Sequence, residues 1–452
     1  MAGESMEIAA QIVPSILIGI IGYTSWVITH VVVHRNFFNV DILGGKRVGG
    51  GIVILVIYWI LFVLVTWSFF RMLWAIFRHP GYIERGHVGR IQAQDEEKAK
   101  QTSKKRILPE RLSFARPRLG DIISKDIFVC QPDGLPSWCD TCKIWRPDRS
   151  RHCREKDRCV LNLDHFCPWV GGIVSEQVMK YFILFNSYTF LYTIFDWILA
   201  AICIAQRKQQ LPLNGNLIAM LIFGLFFMGL TGGIGLSAIV NALTNHTTKE
   251  NLAEPAGHTW NMALRVANSL VVDENVHTVS FPDLDDCDFD TLQKLVRSRD
   301  RDQSQSSDPD PGQQTPEAQQ TSKGPYMPGH TFAIVESDLF SNPWDCGMYE
   351  NWCQVMGHNI VGWFLPLDVG GSWLSRDAYA HQGSGRPEAG DQKSFFPAGL
   401  DIKVMKARAG LTSLTSEEAR DYNKRIQKRK AFPYLLGGAG APLKQWAASR
   451  AS

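Results

Sequence analysis

The sequence lacks several features that would have indicated other classes of protein. Its 47 Lys and Arg nearly balance 44 Asp and Glu, so the formal net charge is only +3. A charge this small gives no indication of a nucleic-acid partner. No internal repeat is found, which excludes a solenoid. Residues 1–10 contain Glu4 and Glu7 but no Lys or Arg. The apolar run that follows therefore does not resemble a secretory signal peptide, and we expect a retained helix.

Apolar residues are gathered instead into four long runs. Each run has about 20 or more mostly uncharged residues, the length of helix that crosses a bilayer core of roughly 30 Å. The runs cover residues 12–33, 51–76, 181–204 and 217–240. Helices of a soluble hairpin, the alternative, would show a polar stripe, which these runs largely lack. The sequence therefore predicts an all-α polytopic membrane protein with four transmembrane helices.

Positive charge is distributed unevenly between the loops. About twenty Lys and Arg lie between the second and third runs, against three after the first run and two after the third. Because basic loops stay on the cytosolic side, we expect residues 77–180 to be cytosolic. With an even number of spans, the N-terminus (1–11) and the C-terminal region (241–452) should lie on the same side. The membrane would be a eukaryotic endomembrane or the plasma membrane.

The C-terminal region divides by composition. Residues 297–324 are mostly Arg, Asp, Gln, Ser and Pro. They cannot bury enough apolar surface to fold, so we expect a disordered insert. Residues 342–367 contain Trp and Phe among polar residues, which favours a segment docked on the protein or on the membrane interface.

Six of the ten cysteines fall within residues 130–167. In a cytosolic loop, metal or catalytic roles are favoured over disulfides. Cys139 and Cys142 form a C-x2-C knuckle, and His152 and Cys159 follow it. This set suits one structural zinc with all four positions closed, which would contribute on the order of 10 kcal/mol to folding. The alternative is scattered reduced cysteines and a surface histidine.

A second motif reads Asp164-His165-Phe166-Cys167. A nucleophilic cysteine reacts as the thiolate, and a free thiol with a pKa near 8.5 is only a few per cent ionised at neutral pH. His165 offers a base, and Asp164 offers a carboxylate that orients the imidazole, as in a Cys-His-Asp triad. The local residues alone leave Cys167 either a nucleophile or a further metal ligand.

Together these motifs resemble the cysteine-rich domain of DHHC-type protein palmitoyltransferases, here at about residues 137–187. The residues that carry the resemblance are Cys139, Cys142, Arg146-Pro147, Arg149 to Cys153, Cys159-Val160 and Asp164 to Val170. Three accessory motifs agree with it, namely His79-Pro80-Gly81, Thr247-Thr248-Lys249-Glu250 and residues 342–366. The family's plan, four spans with this domain between the second and third, is also the plan expected above.

The resemblance implies a protein S-acyltransferase with a zinc-bound cytosolic domain. A palmitoyl group would pass from acyl-CoA to Cys167, with His165 as general base and Asp164 orienting it, and then to a cysteine of a membrane-associated protein. Supporting roles are implied for Thr247, Thr248, Glu250 and Asn351. Arg146, Arg149 and Arg151 are candidates for contacts with the CoA phosphates; the alternative for them is a solvated or lipid-binding basic face.

The sequence departs from the family pattern at the second zinc site. That site would use Cys153 and the positions of Lys156, Phe166 and Ile173. Since none of those three offers a donor atom at neutral pH, we predict a single zinc and an apolar plug built on Phe166 and Ile173. Phe166 in place of the second His is similar to a fungal subgroup with an aromatic residue there.

A catalytically inactive scaffold is the alternative function, and a transporter or a zinc-domain ubiquitin ligase is a third class.

Overall fold

The computed structural model describes residues 2–38, 48–86, 116–206, 214–253, 259–266, 276–281, 287–296, 330–339, 341–367 and 400–435. Helices in these ranges include α1 (Ala2–Trp26), α2 (Val48–Arg78), α3 (Leu119–Ile123), α4 (Glu176–Gln206), α5 (Gly215–Thr244), α6 (Thr248–Ala253), α7 (Met348–Met356), α8 (Ile360–Phe364), α9 (Leu400–Arg408) and α10 (Ser416–Leu435). The strands are β1 (Ile127–Val129), β2 (Trp138–Cys139), β3 (Ile144–Trp145), β4 (Arg151–Cys153), β5 (Arg158–Val160), β6 (His165–Cys167), β7 (Gly172–Val174), β8 (Asn261–Arg265), β9 (Thr278–Phe281) and β10 (His330–Glu336).

Within the described ranges, four helices, α1, α2, α4 and α5, are long and apolar enough to cross a membrane. Helix α1 continues as a π-helix over Val27–Phe38. Large apolar side chains on the outside of α2 are exposed, among them Val53, Ile60 and Phe70 at 57%, 56% and 60%. Lipid is a better solvent than water for such a surface. The helices therefore form a bundle suited to a bilayer, as expected for a membrane protein.

Small residues let α4 and α5 approach each other closely. A Cβ atom at Gly232 would meet Phe190 at 2.9 Å, and one at Gly235 would meet Asn186 Cβ at 3.2 Å. Helix interfaces in membranes commonly use small residues in this way, because close backbones gain van der Waals contact. Gly232 and Gly235 of α5 therefore face α4.

A buried polar cluster joins three of the long helices. The Tyr192 hydroxyl lies 2.8 Å from Thr24 Oγ1 and 2.8 Å from the Tyr58 hydroxyl. Tyr58 also donates to Ser25 Oγ at 2.6 Å. Because a hydroxyl without a partner is costly in an apolar medium, these bonds fix how α1, α2 and α4 face one another.

The expectation of an all-α protein is only partly correct, because the part outside the bundle contains small β-sheets. Residues 138–174 form three antiparallel hairpins, β2–β3, β4–β5 and β6–β7. A four-stranded sheet has the order β1-β8-β10-β9. Hairpin strands of two or three residues are too short to show an alternating pattern. The larger sheet pairs strands far apart in the chain, so periodicity along one segment did not reveal it.

The four-stranded sheet joins the C-terminal region to the cysteine-rich domain. Phe128, Phe281 and Phe332 form the centre of one hydrophobic cluster on it. From the β3 strand, Trp145 Nε1 donates to Cys287 O at 2.8 Å. Residues that precede and residues that follow the predicted zinc ligands in the chain thus pack in one hydrophobic core. The predicted disordered insert, 297–324, lies outside the described residues.

Candidate functional site

Two hairpins bring the four predicted metal ligands together. β2 and β3 meet at a tight turn in which Lys143 has φ of 52°, and β4 pairs with β5 so that His152 faces Cys159. The ligand atoms of Cys139, Cys142, His152 and Cys159 all lie within 4.8 Å of one another. His152 Nδ1 is 3.4 Å from Cys142 Sγ and 3.7 Å from Cys139 Sγ. Three sulfurs and one imidazole at this spacing fit a tetrahedral zinc ion.

The histidine of this set is held from its other side. His152 Nε2 lies 3.4 Å from Asp157 Oδ1, and Arg85 Nη2 donates to Asp157 Oδ2 at 2.8 Å. A carboxylate on the far nitrogen orients a metal-binding imidazole. The sequence analysis did not identify Asp157 or Arg85 as functional residues. The signal for Asp157 was available, since it lies in the turn between two predicted ligands.

The segment after α2 runs along the metal-binding hairpins. Ile83 N donates to Cys159 O at 2.9 Å, and Gly86 N donates to Cys142 O at 3.0 Å. A Cβ atom at Gly86 would lie 2.1 Å from Lys143 O, so only glycine fits there. Gly81, in the His79-Pro80-Gly81 motif, has φ of 82° and accepts a bond from Leu161 N at 2.8 Å. This motif therefore guides the chain from the bundle to the metal site.

The catalytic motif lies on β6, which pairs with β7. In a strand, residues i and i+2 point to the same face, so His165 and Cys167 meet although Phe166 separates them. His165 Nδ1 is 2.6 Å from Asp164 Oδ2, and the imidazole is also hydrogen-bonded to Cys167. Asp164 and Cys167 are buried, whereas the His165 side chain is 28% exposed. The three residues form the line Asp164–His165–Cys167.

The pKa of His165 is raised to about 9. Burial acts to lower this pKa, but the hydrogen bonds and charges of Asp164 and Cys167 raise it by more. The imidazole is therefore cationic at neutral pH. An imidazolium beside a thiol favours the thiolate, which is the reactive form of a cysteine.

Asp164 is held by the chain that follows α5. Thr248 N donates to Asp164 Oδ1 at 2.7 Å, and Thr248 Oγ1 donates to Oδ2 at 2.8 Å. Asn241 Nδ2 donates in turn to Thr248 Oγ1 at 3.1 Å. Of the predicted supporting residues, Thr248 is the one that contacts the triad.

Thr247, Glu250 and Arg149 form a neighbouring buried cluster. Thr247 N donates to Glu250 Oε2 at 2.8 Å, and Glu250 N donates to Thr247 Oγ1 at 3.2 Å, which is a capping box on α6. Arg149 binds the same carboxylate with two bonds, Nε to Oε1 at 2.9 Å and Nη2 to Oε2 at 2.8 Å. Burial acts to raise the pKa of Glu250, but Arg149 lowers it by more, to about 2.

The expectation that Arg149 contacts CoA phosphates is not supported by this geometry. Its Nη1 donates to Asn245 Oδ1 at 2.7 Å, its remaining bonds go to Glu250 and the Asn245 carbonyl, and its side chain is only 8% exposed. The residue instead fastens the cysteine-rich domain to the end of α5. Arg146 and Arg151 are partly exposed.

Asn351 anchors the C-terminal segment to the same end of α5. Its Nδ2 donates to Leu243 O at 2.9 Å and to Asp345 Oδ1 at 2.8 Å. Asn342 Nδ2 donates to Thr244 O at 2.8 Å. The last carbonyls of a helix have no partner within it, so these amides satisfy two of them.

Three of the four positions expected for a second zinc site, Cys153, Phe166 and Ile173, lie in an apolar cluster. Phe166 pairs across the hairpin with Ile173, and both are buried with Cys153 and Tyr82. Cys153 Sγ donates to Glu155 Oε2 at 3.2 Å. Among the residues that the structure describes, only the Cys139 set groups three or more metal-ligating side chains.

The helix bundle carries hairpins that bring the predicted metal ligands together, and Cys167, His165 and Asp164 lie beside them. These features define a membrane enzyme with the groups that thioester chemistry requires. The family model of the DHHC palmitoyltransferase matches residues 134–255. "Palmitoyltransferase pfa5" of Aspergillus fumigatus is 30% identical over 454 residues, which cover 91% of this chain and 92% of the relative. The protein of the same name from Emericella nidulans is 30% identical over 453 residues, covering 89% and 86%. "Palmitoyltransferase ZDHHC2" of Danio rerio is 28% identical over 150 residues, covering 33% and 38%.

The chain belongs to the DHHC palmitoyltransferase family. It is a protein S-palmitoyltransferase, as the sequence predicted.

Proposed function

We propose that Cys167 carries the palmitoyl group as a thioester during transfer from acyl-CoA to protein cysteines. The observation that supports this proposal is the line Asp164–His165–Cys167, in which the imidazole bridges a buried carboxylate and a buried thiol. A nucleophile, a base in contact with it and a group that orients the base are the parts that covalent acyl transfer requires.

In the first step the Cys167 thiolate attacks the carbonyl carbon of the acyl-CoA thioester. A bond forms between that carbon and Cys167 Sγ, and the bond to the CoA sulfur breaks. The CoA thiolate takes the proton from the His165 imidazolium. Because the pKa of His165 is about 9, this proton is present at neutral pH when the leaving group needs it.

In the second step the neutral His165 accepts the proton of a substrate cysteine. The substrate thiolate attacks the acyl-Cys167 thioester, and the Cys167 thiolate leaves beside the imidazolium. The enzyme thereby returns to its starting state. Thr248 and Asp164 keep the imidazole in one orientation through both steps.

We propose that the acyl chain lies among the long helices, since each buried CH2 contributes about 0.8 kcal/mol. Cys167 supports this placement, because it packs in the same hydrophobic core as residues of α2 and α4. The CoA phosphates would stay outside the bundle, near Arg146 and Arg151, where charge-assisted hydrogen bonds are available.

Cys139, Cys142, His152 and Cys159 would hold one zinc ion, which supplies folding free energy and no chemistry, because all four positions are filled by protein. With the second site apolar, we propose one zinc per chain. The Asp-His-Phe-Cys motif would place the chain in a subgroup of its family with an aromatic residue at this position.

The basic loops support an orientation with both termini and the cysteine-rich domain in the cytosol. The helix bounds support spans close to residues 12–33, 51–76, 181–204 and 217–240. In this orientation Cys167 would lie on the cytosolic side, and its protein substrates would be membrane-associated proteins with cysteines near the bilayer, on an endomembrane or the plasma membrane.

The test is acyl labelling of the purified protein in detergent with a clickable palmitoyl-CoA analogue. Wild type should acquire a hydroxylamine-sensitive label, and Cys167→Ser should acquire none. His165→Ala should label about 100- to 10,000-fold more slowly. Label that persists in folded Cys167→Ser would show that another residue carries the acyl group.

A further inference from the structure

The N-terminal part of α1 packs against the hairpin that carries the catalytic motif. Ala10 is buried in the cluster formed by Cys153, Phe166 and Ile173, and Met6 packs at its edge. Residues 6–10 precede the first predicted span. These residues therefore contact the cysteine-rich domain.

An ion pair closes this contact. Lys156 Nζ lies 3.1 Å from Glu7 Oε1, and the two side chains are 27% and 20% exposed. The same ammonium lies 5.5 Å from the centre of the Phe166 ring, within the range of a cation–π interaction. Lys156 thus links α1 to the residue that stands between His165 and Cys167.

Helix α1 also touches the turn between β6 and β7. Gly171 has φ of 79°, and a Cβ atom there would lie 3.0 Å from Ala10 O and 3.2 Å from Pro14 Cγ. The turn therefore accepts α1 at van der Waals distance only because Gly171 has no side chain. As a result, α1 bears on both the strand and the turn of the hairpin.

The two faces of β6 have different neighbours. Phe166 points into the cluster beneath α1, whereas Cys167 belongs to the core of the bundle. Since side chains alternate along a strand, the position of Phe166 determines where His165 and Cys167 point. A misplacement of about 1 Å in a reacting group can cost about 100-fold in rate.

From this arrangement we propose that Glu7 and Lys156 are positioning residues for the catalytic hairpin. Their ion pair holds α1 on the Phe166–Ile173 cluster, and so holds His165 and Cys167 in register. The inference rests on the proposed role of Cys167. In this proposal, α1 has a role in acyl transfer in addition to crossing the membrane.

The experiment compares two single charge reversals, Glu7→Lys and Lys156→Glu, with the double variant that carries both. Lys403→Glu serves as the control, because it breaks an ion pair of 2.6 Å with Glu418 in the C-terminal region. We measure the rate of acyl-Cys167 formation, the pH profile of Cys167 alkylation, the zinc content and the unfolding midpoint.

We expect each single reversal to slow acyl-enzyme formation by about tenfold or more. The pH profile of Cys167 alkylation should also change, since the contact between His165 and Cys167 depends on the register of this hairpin. The double variant should recover to within about threefold of wild type, and the control should not change. Lys156→Met removes the charge but keeps an apolar stem, so it should remain folded and still react more slowly.

Single reversals that acylate at the wild-type rate would overturn the inference, and so would a folded double variant as slow as the singles. If both reversals unfold, Lys156→Met decides the matter: a wild-type rate for it overturns the inference. A wild-type protein that takes no label at Cys167 would instead refute the proposed catalytic role itself. The two failures are therefore distinguishable.

Discussion

Thr248 holds Asp164 with two hydrogen bonds, from its backbone nitrogen to Oδ1 at 2.7 Å and from its hydroxyl to Oδ2 at 2.8 Å. The two residues are 84 positions apart. The start of α6 is thereby tied to the strand that carries the nucleophile. Because Asp164 in turn binds His165 at 2.6 Å, the orientation of the imidazole depends on a residue that follows the fourth long helix.

We expect Thr248→Val to lower the rate of acyl-enzyme formation by about 10- to 100-fold, the usual cost of losing a partner that orients a functional ligand. Valine keeps the shape but cannot donate the hydroxyl bond. Thr248→Ser keeps the bond and should stay within a few-fold of wild type. The measurement is single-turnover labelling with acyl-CoA. Equal rates for the serine and valine variants would contradict the role given to this hydroxyl.

The raised pKa of His165 should make part of the stability depend on pH. A histidine whose pKa rises from 6.5 to about 9 on folding contributes stability that is complete below about pH 6.5. This contribution is lost as the pH rises through about 9. The unfolding midpoint of wild type should therefore fall, relative to that of His165→Ala, between pH 6.5 and 9.

Asp164→Asn provides the control for this pH dependence, because it removes the carboxylate that raises the pKa of His165. Its midpoint should follow that of His165→Ala more closely than that of wild type over the same range. Parallel curves for wild type and His165→Ala would show that His165 has no raised pKa. Thermal unfolding in detergent at several pH values is sufficient for the comparison.

The buried pair Arg149–Glu250 should be strongly coupled. Its side chains are 8% and 2% exposed, and removing one partner of such a pair leaves a charge without compensation. We expect Arg149→Ala to cost about 3–5 kcal/mol of unfolding free energy. Arg149→Met combined with Glu250→Leu should recover much of the loss, because both charges are gone. A double variant less stable than Arg149→Ala would contradict this account.

Metal analysis should find one zinc per chain. Cys139→Ser should lose the metal and destabilise the protein, because structural zinc contributes on the order of 10 kcal/mol to folding. Cys153→Ala should keep its zinc, since Cys153 lies in the apolar cluster of Phe166 and Ile173. Two zinc ions in wild type, or loss of zinc in Cys153→Ala, would contradict the single-site proposal.

The sequence by itself determined the features that depend on neighbouring residues. Four long helices follow from the length and apolarity of four runs, properties that each run carries alone. The order of residues in the motif also made His165 and Cys167 candidates for base and nucleophile, although their contact depends on β6, a strand that the sequence did not predict. The types and spacing of the four cysteine and histidine ligands likewise indicated a zinc site before any distance was known.

The tertiary structure decided the partners that lie far apart in the chain. The sequence marked Arg149 as a candidate for phosphate contacts, but only the fold placed it in a buried ion pair with Glu250. The pairing of β1 with β8, and the contact of Glu7 with Lys156, also join distant segments. Local periodicity reports which face of an element is apolar, whereas the partner of that face depends on how the whole chain packs.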